Sequence, residues 1–264
     1  MALPSPTPSS TCLVTGASSG IGAEIARDLA RRGHGVTLSA RREDRLQALA
    51  DDLADSGVRV EVIACDVTDA DSRAALIAKL AEDGLDVEVL VNNAGYGSGG
   101  RFQDLDGDSE VRMVQTNCEA IIAFCAEYVP KMVDRGRGAI LNVGSTAGYQ
   151  PLPRQATYSA TKAFVNSFTD ALHEDLSGTG VVATSLRPGP VATEFGETAG
   201  VEDEFSSLPG FLIDTPADVA KAAVDALDKG RRAVGPGVVG RLAVAGQYAP
   251  RSVLLPALRR FYPI

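Results

Sequence analysis

Residues 15–22 read Thr15-Gly16-Ala17-Ser18-Ser19-Gly20-Ile21-Gly22, directly after the apolar run Thr11–Thr15. Behind them come Ile21, Ile25 and Leu29, spaced as one face of a helix, and Gly33 marks its end. The stretch is therefore a glycine-rich turn between a strand and a helix. Glycine permits a tight turn and lets the backbone approach a pyrophosphate, while the helix N-terminus offers N–H groups and a positive dipole end. Its spacing, Gly-x-x-x-Gly-x-Gly, is not the commoner Gly-x-Gly-x-x-Gly, and a glycine turn alone could be a mere connection. Its place near the chain start, between strand and helix, predicts nucleotide binding through Gly16, Ser18, Ser19, Gly20, Ile21 and Gly22.

Outward from this turn, short apolar runs alternate with helical patterns. Strands are expected at Thr11–Thr15, Val36–Ala40, Val58–Cys65, Val87–Asn92, Ala139–Gly144 and Val181–Leu186, with a shorter one near Arg232–Gly235. They are rich in Val, Ile and Leu rather than alternating, as strands covered on both faces should be. Long helices are expected over Ser109–Asp134 and Thr157–Leu176, and Thr215-Pro216 reads as an N-cap with proline at the first helical position. The fold class is α/β: a Rossmann-type doubly wound parallel sheet of about seven strands with helices on both faces. No linker or repeat divides the chain, so residues 1–264 are read as one domain. Within it, 1–10 form a loose leader, the Pro- and Gly-rich segment 188–214 a substrate lid, and 238–264 a C-terminal extension.

Composition narrows the function. Asp and Glu exceed Lys and Arg by 34 to 25, for a net charge of −9, and no basic tract occurs, which argues against nucleic-acid binding. No apolar run approaches the roughly 20 residues that span a bilayer, and the N-terminus lacks a signal-peptide layout, so a cytoplasmic location is expected. Cys12, Cys65, Cys118 and Cys125 form no Cys-x-x-Cys pair, and His34 and His173 stand alone, so no metal site is expected.

At the end of the second strand, Ala40 stands where an acidic residue would hold a ribose 2′-hydroxyl, and Arg41 and Arg42 follow. The planar arginine fork suits a 2′-phosphate, so NADP (NADPH) is expected over NAD. Asp66 and Val67 end the third strand where an adenine would lie, and Asn92-Asn93-Ala94-Gly95 ends the fourth at the ligand-binding edge. Tyr158 and Lys162, four apart, share a helix face, with Ser145 at the end of the fifth strand and Asn117 in the long preceding helix. Singly, each of these reads as an ordinary surface or helix residue.

Together with the Thr15–Gly22 turn, Pro188-Gly189 and Thr193, they give a chain that resembles the short-chain dehydrogenase/reductase family over nearly its whole length. The resemblance implies a carbonyl reductase-like oxidoreductase in which Tyr158 is general acid or base and Ser145 holds the carbonyl oxygen. Lys162, together with the cofactor's positive nicotinamide ring, would lower the tyrosine's pKa from its usual value of about 10, and Lys162 would also bind the nicotinamide ribose. Asn117 would position a water, and Asn93, Ala94, Gly95, Pro188, Gly189, Val191 and Thr193 would contact the cofactor. The family usually forms homodimers or homotetramers through its two long helices. Phe195, Phe205, Leu208, Phe211 and Leu212, with Tyr149, Gln150 and Leu152, would make an apolar pocket for a ketone, aldehyde or secondary alcohol. Alternatives are a catalytically silent NADP-binding regulator, which the intact Ser145, Tyr158 and Lys162 disfavour, and a ketoreductase within a multienzyme pathway. Arg41→Ala should lower the ratio of NADPH to NADH catalytic efficiency, and an unchanged ratio in steady-state kinetics would refute the NADP preference.

Overall fold

The computed structural model describes residues 3–201 and 208–240. Seven parallel strands form one sheet in the order β3-β2-β1-β4-β5-β6-β7. They are β1 Ser10–Thr15, β2 Val36–Ala40, β3 Val60–Ala64, β4 Asp86–Asn92, β5 Gly138–Val143, β6 Val181–Leu186 and β7 Ala233–Val234. Every residue of β1, β2 and β5 is buried, the outcome their continuous apolar runs require. The edge strand β3 has no fully buried residue and is shorter at both ends than its apolar run suggests.

Helices α1 Gly20–Arg31, α2 Glu43–Asp52 and α8 Pro216–Asp228 pack on one face of the sheet; their buried side chains Ile25, Leu29, Leu46, Leu49, Val219 and Val224 join one core cluster. Helices α3 Ala70–Glu82, α5 Ala120–Arg135 and α6 Ala156–Asp175 cover the other through Leu76, Leu80, Phe124, Met132 and Val165. Two core layers around one sheet are the architecture the sequence predicts.

The long helix expected over 109–134 is not uniform. It begins with α4 Gly107–Val114, widens into a π-helical turn over Gln115–Glu119, and resumes as α5. A wider turn of this kind is uncommon and tends to lie at functional sites. At α8, Thr215 accepts a hydrogen bond from Asp218 N and Pro216 occupies the first turn, as the sequence indicates. A short helix, α7 Phe195–Thr198, opens the expected lid. That segment is closed at its neck, where Val191 bridges Asp214 and Asp214 N donates to Pro190 O. Leu3 packs against the core rather than hanging free.

The two edges of the sheet differ. At the amino edge, Arg137 grips the buried Glu88 at 2.6 Å, Arg135 pairs with Asp86 at 2.9 Å, and Arg32 joins Asp28 to Asp225 of α8. At the carboxyl edge lies a cleft.

Candidate active site

The cleft has a volume of about 1020 Å³ and runs along the carboxyl ends of the strands, on either side of β1 and β4. Its position follows from strand order, since β1 has β2 on one side and β4 on the other, so consecutive connections leave on opposite faces. The glycine turn forms one wall. Gly16 and Gly20 have φ of +65° and +57°, in the left-handed region that side chains disfavour. A Cβ on Gly16 would also lie 2.8 Å from Ala94 Cα. Behind the turn, Thr15 Oγ1 donates to Val91 O and accepts from Asn93 N and Ala94 N, at 3.0 and 3.1 Å for the latter two. Asn93 Nδ2 donates to both Thr15 O and Gly16 O. α1 then starts at Gly20 with no side-chain cap from Ser19, which leaves its first turn for a ligand.

Two arginines follow β2, and the structure separates their roles. Arg42 donates to Ser18 Oγ and Ser19 Oγ at 3.0 and 2.9 Å and pairs with Glu194 at 3.1 Å. Arg45 joins it on the same carboxylate at 2.6 Å, and these hydrogen bonds hold Glu194 below the usual carboxylate range. Arg41 is exposed at the cleft mouth. Asp66 lies opposite. Burial would raise its pKa, but hydrogen bonds from Thr68 and the charges of Arg41 and Arg112 bring it below the ordinary value.

At the cleft floor Tyr158 and Lys162 project from one face of α6 and are 8% and 5% exposed. Ser145 lines the same floor, its hydroxyl accepting from Ala147 N at 3.0 Å. Lys162 Nζ donates to Val143 O at 2.8 Å and lies 5.8 Å from the centre of the tyrosine ring. Burial pushes Lys162 down to about 8. Burial likewise pushes Tyr158 up to about 12, against the hydrogen bond with Ser145, which acts the other way. Burial thus favours the protonated phenol. Phe195 covers the tyrosine from the lid side, with ring centres 5.2 Å apart.

Asn117 sits in the π-helical turn, fully buried. Its side chain accepts from Tyr96 N and donates to Tyr96 O and Thr161 Oγ1. It stands behind the cleft wall, and Gly95 packs between it and Lys162.

Most of the residues picked from sequence meet here: Gly16, Ser18, Ser19, Gly20, Ile21, Arg41, Arg42, Asp66, Val67, Asn93, Ala94, Gly95, Ser145, Tyr158, Lys162, Pro188, Gly189, Val191 and Thr193 all line the cleft. Gly22 does not; a Cβ there would collide with Asn93 and Gly16 O, so it serves close packing. Of the expected pocket residues, Phe195, Gln150 and Leu152 line the cleft, whereas Phe211 is 74% exposed and Tyr149 turns to Arg187. Leu208 and Leu212 are not part of the lining, and Phe205, like 241–264, lies outside the described residues. Sequence reading missed Leu105, Gln155 and Glu194, which join the cleft only through tertiary contact.

Residues 10–203 match the short chain dehydrogenase family. An uncharacterized oxidoreductase of Myxococcus xanthus is 40% identical over 188 residues, 71% of this chain and 74% of that protein. The NADP-dependent 3-hydroxy acid dehydrogenase YdfG of Salmonella typhimurium is 40% identical over 185 residues, 69% of this chain and 73% of its own. Among solved structures, a short-chain dehydrogenase from Sphingobium yanoikuyae in complex with NADPH superposes with a TM-score of 0.80 at 35% identity, over 94% of this chain and 95% of that one. The bulky-bulky ketone specific alcohol dehydrogenase from Comamonas testosteroni gives 0.77 at 30% identity, with 95% of each chain covered. The chain belongs to the short-chain dehydrogenase/reductase family of oxidoreductases.

Proposed function

We propose that the protein interconverts a carbonyl compound and a secondary alcohol with NADP(H), and that reduction is its favoured direction. The observation that carries this reading is the buried Tyr158 and Lys162 on one face of α6, with Ser145 beside them, at the floor of a nucleotide-sized cleft. The cleft fits the cofactor by its backbone: a turn open only to glycine, an uncapped helix start and exposed Arg41 where a 2′-phosphate would lie. The NADPH complex of the Sphingobium relative and the NADP-dependent Salmonella relative support the same choice.

When bound, NADPH supplies the hydride. Ser145 Oγ donates a hydrogen bond to the carbonyl oxygen and holds it against Tyr158. Tyr158 would give its hydroxyl proton to that oxygen as the carbonyl is reduced. A phenol kept protonated by burial is ready for this step, and the Lys162 ammonium steadies the phenolate it leaves. Asn117 has its side chain engaged by Tyr96 and Thr161, so it acts by fixing the 95–97 loop against Lys162. Thr193 abuts the phosphate turn at Gly20, where it would reach the nicotinamide end.

Phe195, Leu105 and Leu152 give the substrate end an apolar lining, with Gln150 as a polar point, which suits a ketone or aldehyde with a hydrophobic body. The bulky-ketone enzyme among the structural relatives favours that class. A homodimer or homotetramer fits the outer face of the long helices, where Val111, Val114, Ile122 and Phe164 are exposed and Phe164 stacks on Phe168.

Tyr158→Phe should cut ketone reduction by roughly 10²-fold or more while NADPH binding, followed by fluorescence titration, persists; near-normal turnover would refute the mechanism. Lys162→Met should abolish turnover yet stabilise the fold at pH 7. The folded-state pKa is lowered from 10.5 to about 8, so the buried ammonium costs stability fully below about pH 8. At about 1.4 kcal/mol per unit that cost is on the order of 3 kcal/mol. The gain in denaturant midpoint over wild type should shrink as pH rises from 8 towards 10.5. Phe164→Glu should lower the mass measured by light scattering from a multiple of the 27.5 kDa chain towards the monomer; a wild type already monomeric at micromolar concentration would exclude the assembly.

A further inference from the structure

Behind the catalytic floor lies a buried polar chain in which every donor points the same way. Arg187, at the end of β6 and 6% exposed, donates from Nε to Ser185 Oγ at 3.0 Å. Ser185 Oγ donates to Asn166 Oδ1 at 3.5 Å, and Asn166 Nδ2 donates to Ser145 O at 2.9 Å. The guanidinium is held by Asp170 at 2.5 Å, Tyr149 Oη at 3.1 Å and Asn166 O at 3.2 Å. The Asn166 amide is fixed in place by the glycines on either side of Ser145. A Cβ on Gly144 would collide with Asn166 Oδ1, and one on Gly148 would lie 2.5 Å from Asn166 Nδ2. Asn166 is one helical turn beyond Lys162 and two beyond Tyr158. Arg187 directly precedes Pro188 and Gly189, which line the cleft.

We infer that Asn166 and Arg187 are positioning residues, a buried amide–guanidinium brace that sets the Ser145 hydroxyl against Tyr158 and joins its loop to α6 and to the Pro188-Gly189 floor. Aligned donors polarise one another in a low-dielectric interior, so the charge of Arg187 strengthens the bond on Ser145 O. The inference rests on the proposed carbonyl–alcohol reaction.

Asn166→Asp preserves shape but places an oxygen against Ser145 O, and Arg187→Lys keeps the charge without the fork. Both should lower kcat for alcohol oxidation, Asn166→Asp by roughly 10- to 100-fold as expected for a small misplacement. The Kd for NADPH should change far less than kcat, since the phosphate turn and Arg41 stand apart from the brace. The rising limb of the pH profile should move to higher pH, because Ser145 beside Tyr158 draws the phenol's pKa down. Asp225→Asn, which breaks the remote Arg32 pair, serves as a destabilised control whose limb stays in place. The brace is overturned if both variants lose activity only in proportion to their folded fraction with an unmoved limb, or lose none. Should Asn166→Asp fail to fold, Arg187→Lys alone decides by the same limb. Full activity in Tyr158→Phe would instead bring down the underlying reaction, so the two failures are distinguishable.

Discussion

Thr15 and Asn93 tie the ends of β1 and β4 together at the point where strand order reverses. Connections leave that point on opposite faces, and the backbone there would otherwise present unpaired groups to the crevice between them. The Thr15 hydroxyl and the Asn93 amide satisfy Asn93 N, Ala94 N, Thr15 O and Gly16 O between them. A typical hydrogen bond contributes about 1 kcal/mol net, but a buried group left unpaired costs about 1–3 kcal/mol, so the tie matters most for what it prevents. With β1 and β4 locked, the glycine turn, the start of α1 and the 95–97 loop all take their places relative to α6.

The carboxyl edge tolerates charges that a core would reject. Lys162 is buried and donates to Val143 O, and burial lowers its pKa. Arg187 is buried too, yet Asp170, Tyr149, Ser185 and Asn166 satisfy it, and hydrogen bonding to Asp170 and Tyr149 raises its pKa despite burial. One cation is poorly compensated and the other well satisfied. Burial shifts of this kind concentrate where chemistry is done.

The local parts of this site were legible in sequence and the non-local parts were not. The Gly16–Gly22 turn announces itself because strand, glycine and helix are contiguous, and Tyr158 with Lys162 because helical periodicity puts them on one face. The seven strands, including the short one near Arg232–Gly235, and the α8 cap were readable for the same reason. The π-helical turn was not, because no residue type in Gln115–Glu119 demands it; Asn117 bonding both backbone groups of Tyr96 accompanies it. Arg42 reads as a phosphate ligand from its position, but only the fold reveals that Ser18, Ser19 and Glu194 already engage it. Phe211 reads as pocket lining from its apolar character, yet lies exposed, since composition says nothing of direction. Gly22 carries the family spacing, but its role is to let α1 approach Asn93.

The arginine–carboxylate pairs at the opposite edge bear on how such a protein can change over generations. Arg137–Glu88 and Arg135–Asp86 fasten the first residues of β4, whereas Asn92 ends it at the cleft. Six residues of strand put about 20 Å between them, well past the range over which substitutions ordinarily influence one another. Sturdiness and substrate choice are thus written into separate ends of the same sheet. A lineage can harden one end against heat or salt while the other drifts towards a new ligand, and neither alteration constrains the other.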